Sequence, residues 1–380
     1  MTTAYAPLAP PERLLCGPGP ANVNPAVTAA LGKPLLGHLD PELHAMLLEL
    51  VEMLGVLYGR RDGGLTLPLS GSGTSGMEAG IGALVDPGAT VIVGVNGYFG
   101  ARLAEIARRQ GARVVEVAAP AGQAVPNADL LAALDAHPKA RLLAVVHAET
   151  STGVRHDLPE LGAALAGRDT FLMADCVTSL GGIEVDLDAW GVDYAYSCTQ
   201  KCLAAPPGMS PISLSARALE WVDSHPRPAS FYLDLGLLRD YWVTRPAVYH
   251  HTLSAAYVYA VHEAVRLALA EGLPERWARH ADAGAHLQAA VRERGLELLA
   301  DPAHQLPQLT AIRVPEGVDG KAVQLRLLRE HGIEIGGALA GVPPMWRIGL
   351  MGDNATRATA DRVLAAFDAV LADERAPVTA

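Results

Sequence analysis

The sequence predicts an α/β protein: a mostly parallel sheet sandwiched between helices, followed by a smaller C-terminal α+β domain. Two observations predict the sheet. From about residue 65, short runs that are almost continuously Val, Leu and Ile recur along the chain. Helical patterns separate most of them, and strand–helix alternation with strands of that composition implies a parallel sheet covered on both faces. A third observation bears on function. The polar residues that break the apolar pattern fall where strands end, and open α/β sheets bind ligands at the carboxyl ends of their strands.

In chain order, residues 1–22 are rich in Pro and Gly, including Cys16-Gly-Pro-Gly-Pro20, and predict an extended N-terminal arm. A large domain is expected over 23–260. Its strands are predicted at 65–69, 91–95, 113–117, 142–147, 170–174, 194–198 and 211–215. Between them, apolar residues at helical spacing predict helices at 101–110, 128–136 and 158–166. A long helical pattern at 255–272 leads into a small domain expected over 261–380. There, 309–314, 333–335 and 347–349 read as strands and 322–331 as a helix.

Composition narrows the function. With 380 residues, 50% apolar and only 19% charged, the chain suits a compact enzyme of two domains. A formal charge of -11 argues against a broad nucleic-acid or anionic-membrane surface, but leaves room for a local cationic pocket. No apolar run is long enough to span a bilayer. Met1 to Pro11 carries no signal pattern, and Ala376-Pro-Val-Thr-Ala380 is not a peroxisomal address, so a cytoplasmic protein is expected. Four cysteines without a disulfide framework are expected to be reduced thiols. Cys198 and Cys202, which flank Lys201, are expected to be small buried residues rather than a metal or redox pair.

Three features at the strand ends carry chemistry. Ser70-Gly-Ser-Gly73-Thr-Ser-Gly76 follows a strand and opens a helix, where free backbone N–H groups and hydroxyls make a phosphate cradle. Gly71, Gly73 and Gly76 also fit the G-x-G-x-x-G spacing of dinucleotide folds. That reading wants an acidic residue at the end of the next strand, which instead ends in Asn96-Gly97, with Asp86 too early. A single phosphate is therefore favoured. Asp175 ends an apolar strand and reads either as a helix cap or as a carboxylate needing a cation or several donors. Lys201 follows the next strand and opens a loop rich in small residues, Pro and Gly. It is one of only four lysines in the chain. Where charge alone was needed Arg would serve, whereas Lys can lose its proton and form a Schiff base; a snorkelling surface lysine is the ordinary alternative. An amine, an acid and a phosphate loop at neighbouring strand ends are what pyridoxal 5′-phosphate requires.

At these residues the sequence resembles the fold-type I, class V aminotransferases, specifically the alanine–glyoxylate/serine–pyruvate group. The resemblance rests on Gly17-Pro-Gly-Pro20, Ser70-Gly-Ser-Gly73, Glu149-Thr-Ser-Thr-Gly153, Asp175-Cys-Val-Thr-Ser-Leu-Gly-Gly182, Ser197-Cys-Thr-Gln-Lys201, Tyr249-His-His-Thr252 and Arg347-Ile-Gly-Leu-Met-Gly352. It implies that Lys201 holds the cofactor as a Schiff base and shuttles the proton, and that Asp175 partners the pyridine nitrogen. Val177 would pack on one ring face and Phe99 on the other, where the family usually has Trp. Thr150, Ser in relatives, would lie near the phenolic oxygen.

By the same resemblance, Ser72, Gly73, Thr74 and Gln200 would hold the phosphate; Thr74 departs from a histidine of some members. Tyr249 and Thr252 would reach the phosphate of a neighbouring subunit, implying a homodimer with shared sites. Arg347 and Gly19 would bind the substrate. No metal is expected, and His250-His251 reads as a structural pair. The implied reaction is ping-pong transfer of an amino group from alanine or serine to glyoxylate or pyruvate, with ureidoglycine–glyoxylate transamination as the alternative. Cysteine desulfurases share the fold, but Gln200 stands where they place His, and no cysteine follows Cys202.

Overall fold

A computed structural model describes residues 5–374. The tails 1–4 and 375–380, on which part of the targeting argument rests, lie outside the described residues. Seven strands form the main sheet: β1 Leu65–Gly71, β2 Thr90–Val95, β3 Arg113–Ala118, β4 Leu142–Val146, β5 Phe171–Asp175, β6 Tyr194–Tyr196 and β7 Gly208–Leu214. Their spatial order is β1-β7-β6-β5-β4-β2-β3. β7 runs antiparallel to both its neighbours and every other pair is parallel. Because β1 and β6 are each antiparallel to β7, they point the same way, and the carboxyl ends of β1, β2, β4, β5 and β6 share one edge.

The expected strands are all present, with shifted ends. β1 extends to Gly71 and β7 starts at Gly208, because the two pair over their full length, Gly71 opposite Gly208. β6 stops at Tyr196, where the Ser197 hydroxyl turns to bond the Cys176 carbonyl. The helix expected from 101 starts at Tyr98, because Glu149 accepts hydrogen bonds from the Phe99 and Gly100 N–H groups and caps it. One large-domain helix missing from the sequence reading, Pro41–Tyr58, was plainly signalled. Asp40 caps the Glu42 N–H, Pro41 sits in the first turn, Gly59 ends it at φ 63°, and Leu43, Leu47, Leu50, Leu54 and Leu57 form its buried stripe.

C-terminal to helix Ala255–Glu271, a second apolar core gathers around a three-stranded antiparallel sheet of β8 Leu309–Arg313, β9 Gly336–Gly337 and β10 Met345–Gly349, in the order β8-β10-β9. Ile333–Glu334 does not join this sheet. It pairs in parallel with Leu14–Leu15 of the arm. The arm also runs beside β10, the Gly349 N–H donating to the Cys16 carbonyl.

Helix Gly73–Leu84 lies flush on β6 and β7 because its inner face is glycine. A Cβ on Gly80 would stand 2.2 Å from a ring carbon of Tyr194, whose buried hydroxyl is already tied to the Gly76 carbonyl. Gly76 and Gly80 therefore serve close packing, which accounts for the third glycine of the G-x-G-x-x-G spacing. Gly82, on the same helix, would meet only the flexible tip of Gln110, at 3.1 Å. Gly82→Ala should thus be neutral or raise stability by up to about 1 kcal/mol through helix propensity. Gly80→Ala should lower it by about 1–3 kcal/mol through overpacking. Thermal unfolding of the two variants checks the opposite signs.

Candidate active site

The shared strand edge holds a cavity of about 160 Å³. Gly19, Ser72, Gly73, Thr74 and Phe99 line it, together with Asp175, Val177, Gln200 and Lys201. Nine of the sequence-predicted site residues thus meet at one place. At the end of β1, Ser72 stands at the helix start without a capping side-chain bond, and its hydroxyl has no hydrogen-bond partner among the described residues. Ser75 folds its N–H and hydroxyl back onto the Ser72 carbonyl, at 2.8 and 2.6 Å. The Gly73 and Thr74 N–H groups have no acceptor among the described residues, so they and the dipole's positive end are available to an anion.

Asp175 ends β5 with 2% exposure. Its carboxylate accepts hydrogen bonds from the Tyr196 hydroxyl at 2.6 Å and the Val177 N–H at 2.8 Å. Burial pushes this carboxyl up to about 7; the Tyr196 and Val177 bonds oppose the rise, Glu149 adds to it and Lys201 opposes it. Tyr196 went unnoticed in the sequence. No spacing in the sequence marks it, because only the register of adjacent parallel strands sets Tyr196 beside Asp175.

Lys201 is 8% exposed, and its Nζ donates to the Pro18 carbonyl of the arm. Burial lowers its ammonium pKa; Cys198 opposes this and Arg347 adds to it. Gly19 adopts φ 101°, and a Cβ there would lie 2.5 Å from the lysine Cδ, so the arm can cover Lys201 only with glycine at that point. Arg347, on β10, is 5% exposed, donating to the Gly337 carbonyl at 2.8 Å and the Thr150 carbonyl at 3.1 Å. Among the described residues no carboxylate pairs with it. Burial lowers its pKa to about 10, against the pull of Glu149.

Thr150 does not line the cavity; its buried hydroxyl bonds that of Thr178. Tyr249 is 56% exposed, its hydroxyl 3.4 Å from Thr252 Oγ1, and neither residue lines this chain's cavity. His250 and His251 bond each other through Nδ1 at 2.8 Å, with His251 Nε2 on the Ser70 hydroxyl. Glu149, fully buried, was also missed as an individual residue. Besides capping the helix that carries Phe99, it accepts from the Ser151 N–H and hydroxyl at 2.9 and 2.6 Å. Among the described residues, no group of three or more His, Cys, Asp or Glu could hold a metal, and no helix is long and apolar enough to cross a membrane. All four cysteines are free and buried.

The sequence model of the family described as "Aminotransferase class-V" matches residues 65–358. The chain belongs to this family. It is 37% identical to an alanine–glyoxylate aminotransferase of Drosophila melanogaster, over 94% of this chain and 92% of that one. The crystal structure of an alanine–glyoxylate aminotransferase from Nostoc sp. superposes with a TM-score of 0.94 at 44% identity, covering 97% of this chain and 98% of the other. A ureidoglycine–glyoxylate aminotransferase from Bacillus subtilis also gives 0.94, at 36% identity, covering 98% and 96%.

The protein is accordingly a fold-type I, pyridoxal-phosphate-dependent aminotransferase acting on amino and 2-oxo acids. The cavity fits that cofactor. The uncapped helix start suits a phosphate, and the buried Asp175 carboxylate suits a cationic ring nitrogen. Gln200 adds a buried side-chain amide whose Oε1 has no partner among the described residues; exchanging its O and N would aim donors instead. Tyr196→Phe should push the Asp175 carboxyl above its value of about 7, since the lost hydroxyl bond favours the ionised form. Titration of the Asp175 carboxyl carbon by NMR checks the direction.

Proposed function

We propose that Lys201 and Asp175 carry the transamination, with Arg347 orienting the substrate. The observation behind this reading is the placing of a buried amine and a buried carboxylate at adjacent strand ends beside an uncapped helix start. Pyridoxal phosphate supplies an electrophilic carbon for the amine and a ring that accepts electrons from the substrate's α-carbon. Ser72, Gly73, Thr74 and Gln200 would hold the phosphate end and Val177 and Phe99 would flank the ring, whereas Thr150, off the cavity wall with its hydroxyl on Thr178, is given no cofactor contact. Asp175 keeps its negative charge against the ring nitrogen. Lys201 would hold the cofactor through Nζ. Once free, that amine sits in a site that disfavours its ammonium form, and Nζ could take the substrate's α-proton and return it.

Arg347 offers a planar fork of donors with no carboxylate partner of its own, which suits a substrate carboxylate. The small cavity and the glycine at position 19 favour a small substrate. The reading is therefore alanine or serine as donor and glyoxylate or pyruvate as acceptor, in line with the relatives named for alanine and glyoxylate. Ureidoglycine is the second donor considered, because the Bacillus subtilis relative is about as similar in structure. Tyr249 and Thr252, exposed and absent from the lining of their own cavity, support a homodimer in which each reaches the partner's phosphate. The four free, buried cysteines fit a cytoplasmic enzyme. The same reading divides the chain into an arm at 1–22, a cofactor domain at 23–260 and a small domain at 261–380 that carries Arg347.

Lys201→Ala should bind the cofactor without the visible band of the lysine-bound form and lose turnover by at least about 10³-fold. Substantial activity would refute the role of Lys201. In the native enzyme, alanine or serine should bleach that band and glyoxylate or pyruvate restore it; bleaching by ureidoglycine alone would move the assignment to the second donor. Asp175 gives a pH test. Its raised carboxyl is protonated below about 7, so it gains the charge that favours a cationic ring as pH rises through that value. The apoprotein's affinity for pyridoxamine 5′-phosphate should increase over that interval more than in Asp175→Asn, and equal pH dependence would remove Asp175 from the site.

A further inference from the structure

Arg102 also lines the cavity, and the functional reading above leaves it without a role. It is half-buried, one turn into helix Tyr98–Arg109, so its side chain lies over the residues three and four positions earlier. The guanidinium carbon stands 4.9 Å from the Tyr98 ring centre and 5.1 Å from that of Phe99. Nη1 donates to the Thr74 hydroxyl at 3.0 Å. Among the described residues no carboxylate comes within ion-pairing distance of it.

This placement is electrostatically uneven. Thr74 belongs to the first turn of helix Gly73–Leu84, which carries the positive end of that helix dipole. A guanidinium beside it adds like charge, and the ammonium form of Lys201 would add more. The acid lining the cavity, Asp175, is held by Tyr196 and Val177. An anion between the helix start and Arg102 would relieve this repulsion. Thr74 would help, because a hydroxyl that accepts from Arg102 has its own proton free to donate into the cavity.

We propose that Arg102 is a phosphate-binding residue of the cofactor site, acting on the phosphate by its charge and through the Thr74 hydroxyl that it orients. The inference rests on the aminotransferase reading and adds a residue to it. It gives position 74 a chemical role despite threonine in place of the histidine of some relatives: the cation comes from the neighbouring helix. Cation–π contacts with the Tyr98 and Phe99 rings, which meet edge-to-face, hold the guanidinium in place, so little ordering is needed on binding.

The competing explanation is that Arg102 merely braces Phe99, which would affect the ring rather than the phosphate. Two ligands separate the two. Binding of pyridoxamine 5′-phosphate and of pyridoxamine, which lacks the phosphate, is measured by fluorescence quenching on the full-length apoprotein and on Arg102→Gln. Loss of a charge-assisted contact should weaken the phosphorylated ligand about 10- to 100-fold and leave pyridoxamine unchanged. Equal weakening of both, or of neither, overturns the proposal. A native apoprotein that does not prefer the phosphorylated ligand would instead overturn the cofactor reading itself. Should Arg102→Gln fail to fold, Arg102→Lys carries the same comparison. It keeps the charge but not the fork, and should weaken only the phosphorylated ligand, by several-fold; no selective loss there overturns the proposal.

Discussion

A buried amine has to stand near a buried carboxylate without being neutralised by it, and much of the site's architecture follows from that constraint. If Lys201 paired directly with Asp175, the ion pair would fix both charges and leave neither group free. Among the described residues the two form no ion pair. Asp175 is occupied by Tyr196 and the Val177 N–H, and Lys201 by the Pro18 carbonyl. A neutral acceptor satisfies the lysine without stabilising its charge as a carboxylate would, so burial still favours the free amine. The sheet makes this possible by delivering the acid and the amine from adjacent parallel strands, in register, with a tyrosine at the end of the second strand turned to the acid.

Charge is distributed in the same spirit. The chain carries a net charge of -11, yet Lys201, Arg102 and the start of helix Gly73–Leu84 converge on one cavity, and Arg347 stands across the arm without a carboxylate partner. Several arginines elsewhere are paired: Arg60 with Asp188, Arg276 and Arg279 with Glu271, Arg217 with Asp193. Unpaired cations at one place in an acidic protein are costly unless anions visit them. A cofactor phosphate and a substrate carboxylate are two such anions, and the two arginines lie on different elements that could serve one each.

Much of this was legible in the sequence, for physical reasons. Parallel strands buried on both faces leave nearly uninterrupted apolar runs, so the sheet could be read and its ends placed within a few residues. Polar residues at those ends stood out against that background, and Lys201 stood out further in a chain that otherwise prefers arginine. What could not be read depended on distance between elements. Tyr196 looked like any strand aromatic until the register set it beside Asp175. Glu149 and Arg102 act through a helix start and a neighbouring helix, contacts that leave no spacing pattern along the chain. The glycines at 76 and 80 read as a ligand loop or as nothing, because what explains them lies on other strands: Ser210 and Tyr196 against Gly76, and the Tyr194 ring against Gly80. Helix Pro41–Tyr58 is the exception, with its cap, proline and leucine stripe all present in the sequence.

The arm is what makes these parts one device. Leu14–Leu15 pairs with Ile333–Glu334, the Cys16 carbonyl accepts from Gly349 at the end of β10, Pro18 receives Lys201, and Ala21 donates to the Gln200 carbonyl. Within eight residues the chain therefore touches the strand that bears Arg347 and the loop that bears Lys201. A substrate clamped by Arg347 and joined at its other end near Lys201 would span this same segment. A displacement of β10 cannot leave the Pro18 carbonyl where it is without breaking the hydrogen bond from Gly349 or the pairing at Leu14–Leu15. The distance between clamp and amine is thus set by a short stretch containing Gly17-Pro-Gly-Pro20, whose prolines limit its flexibility and whose Gly19 lets it lie against the lysine.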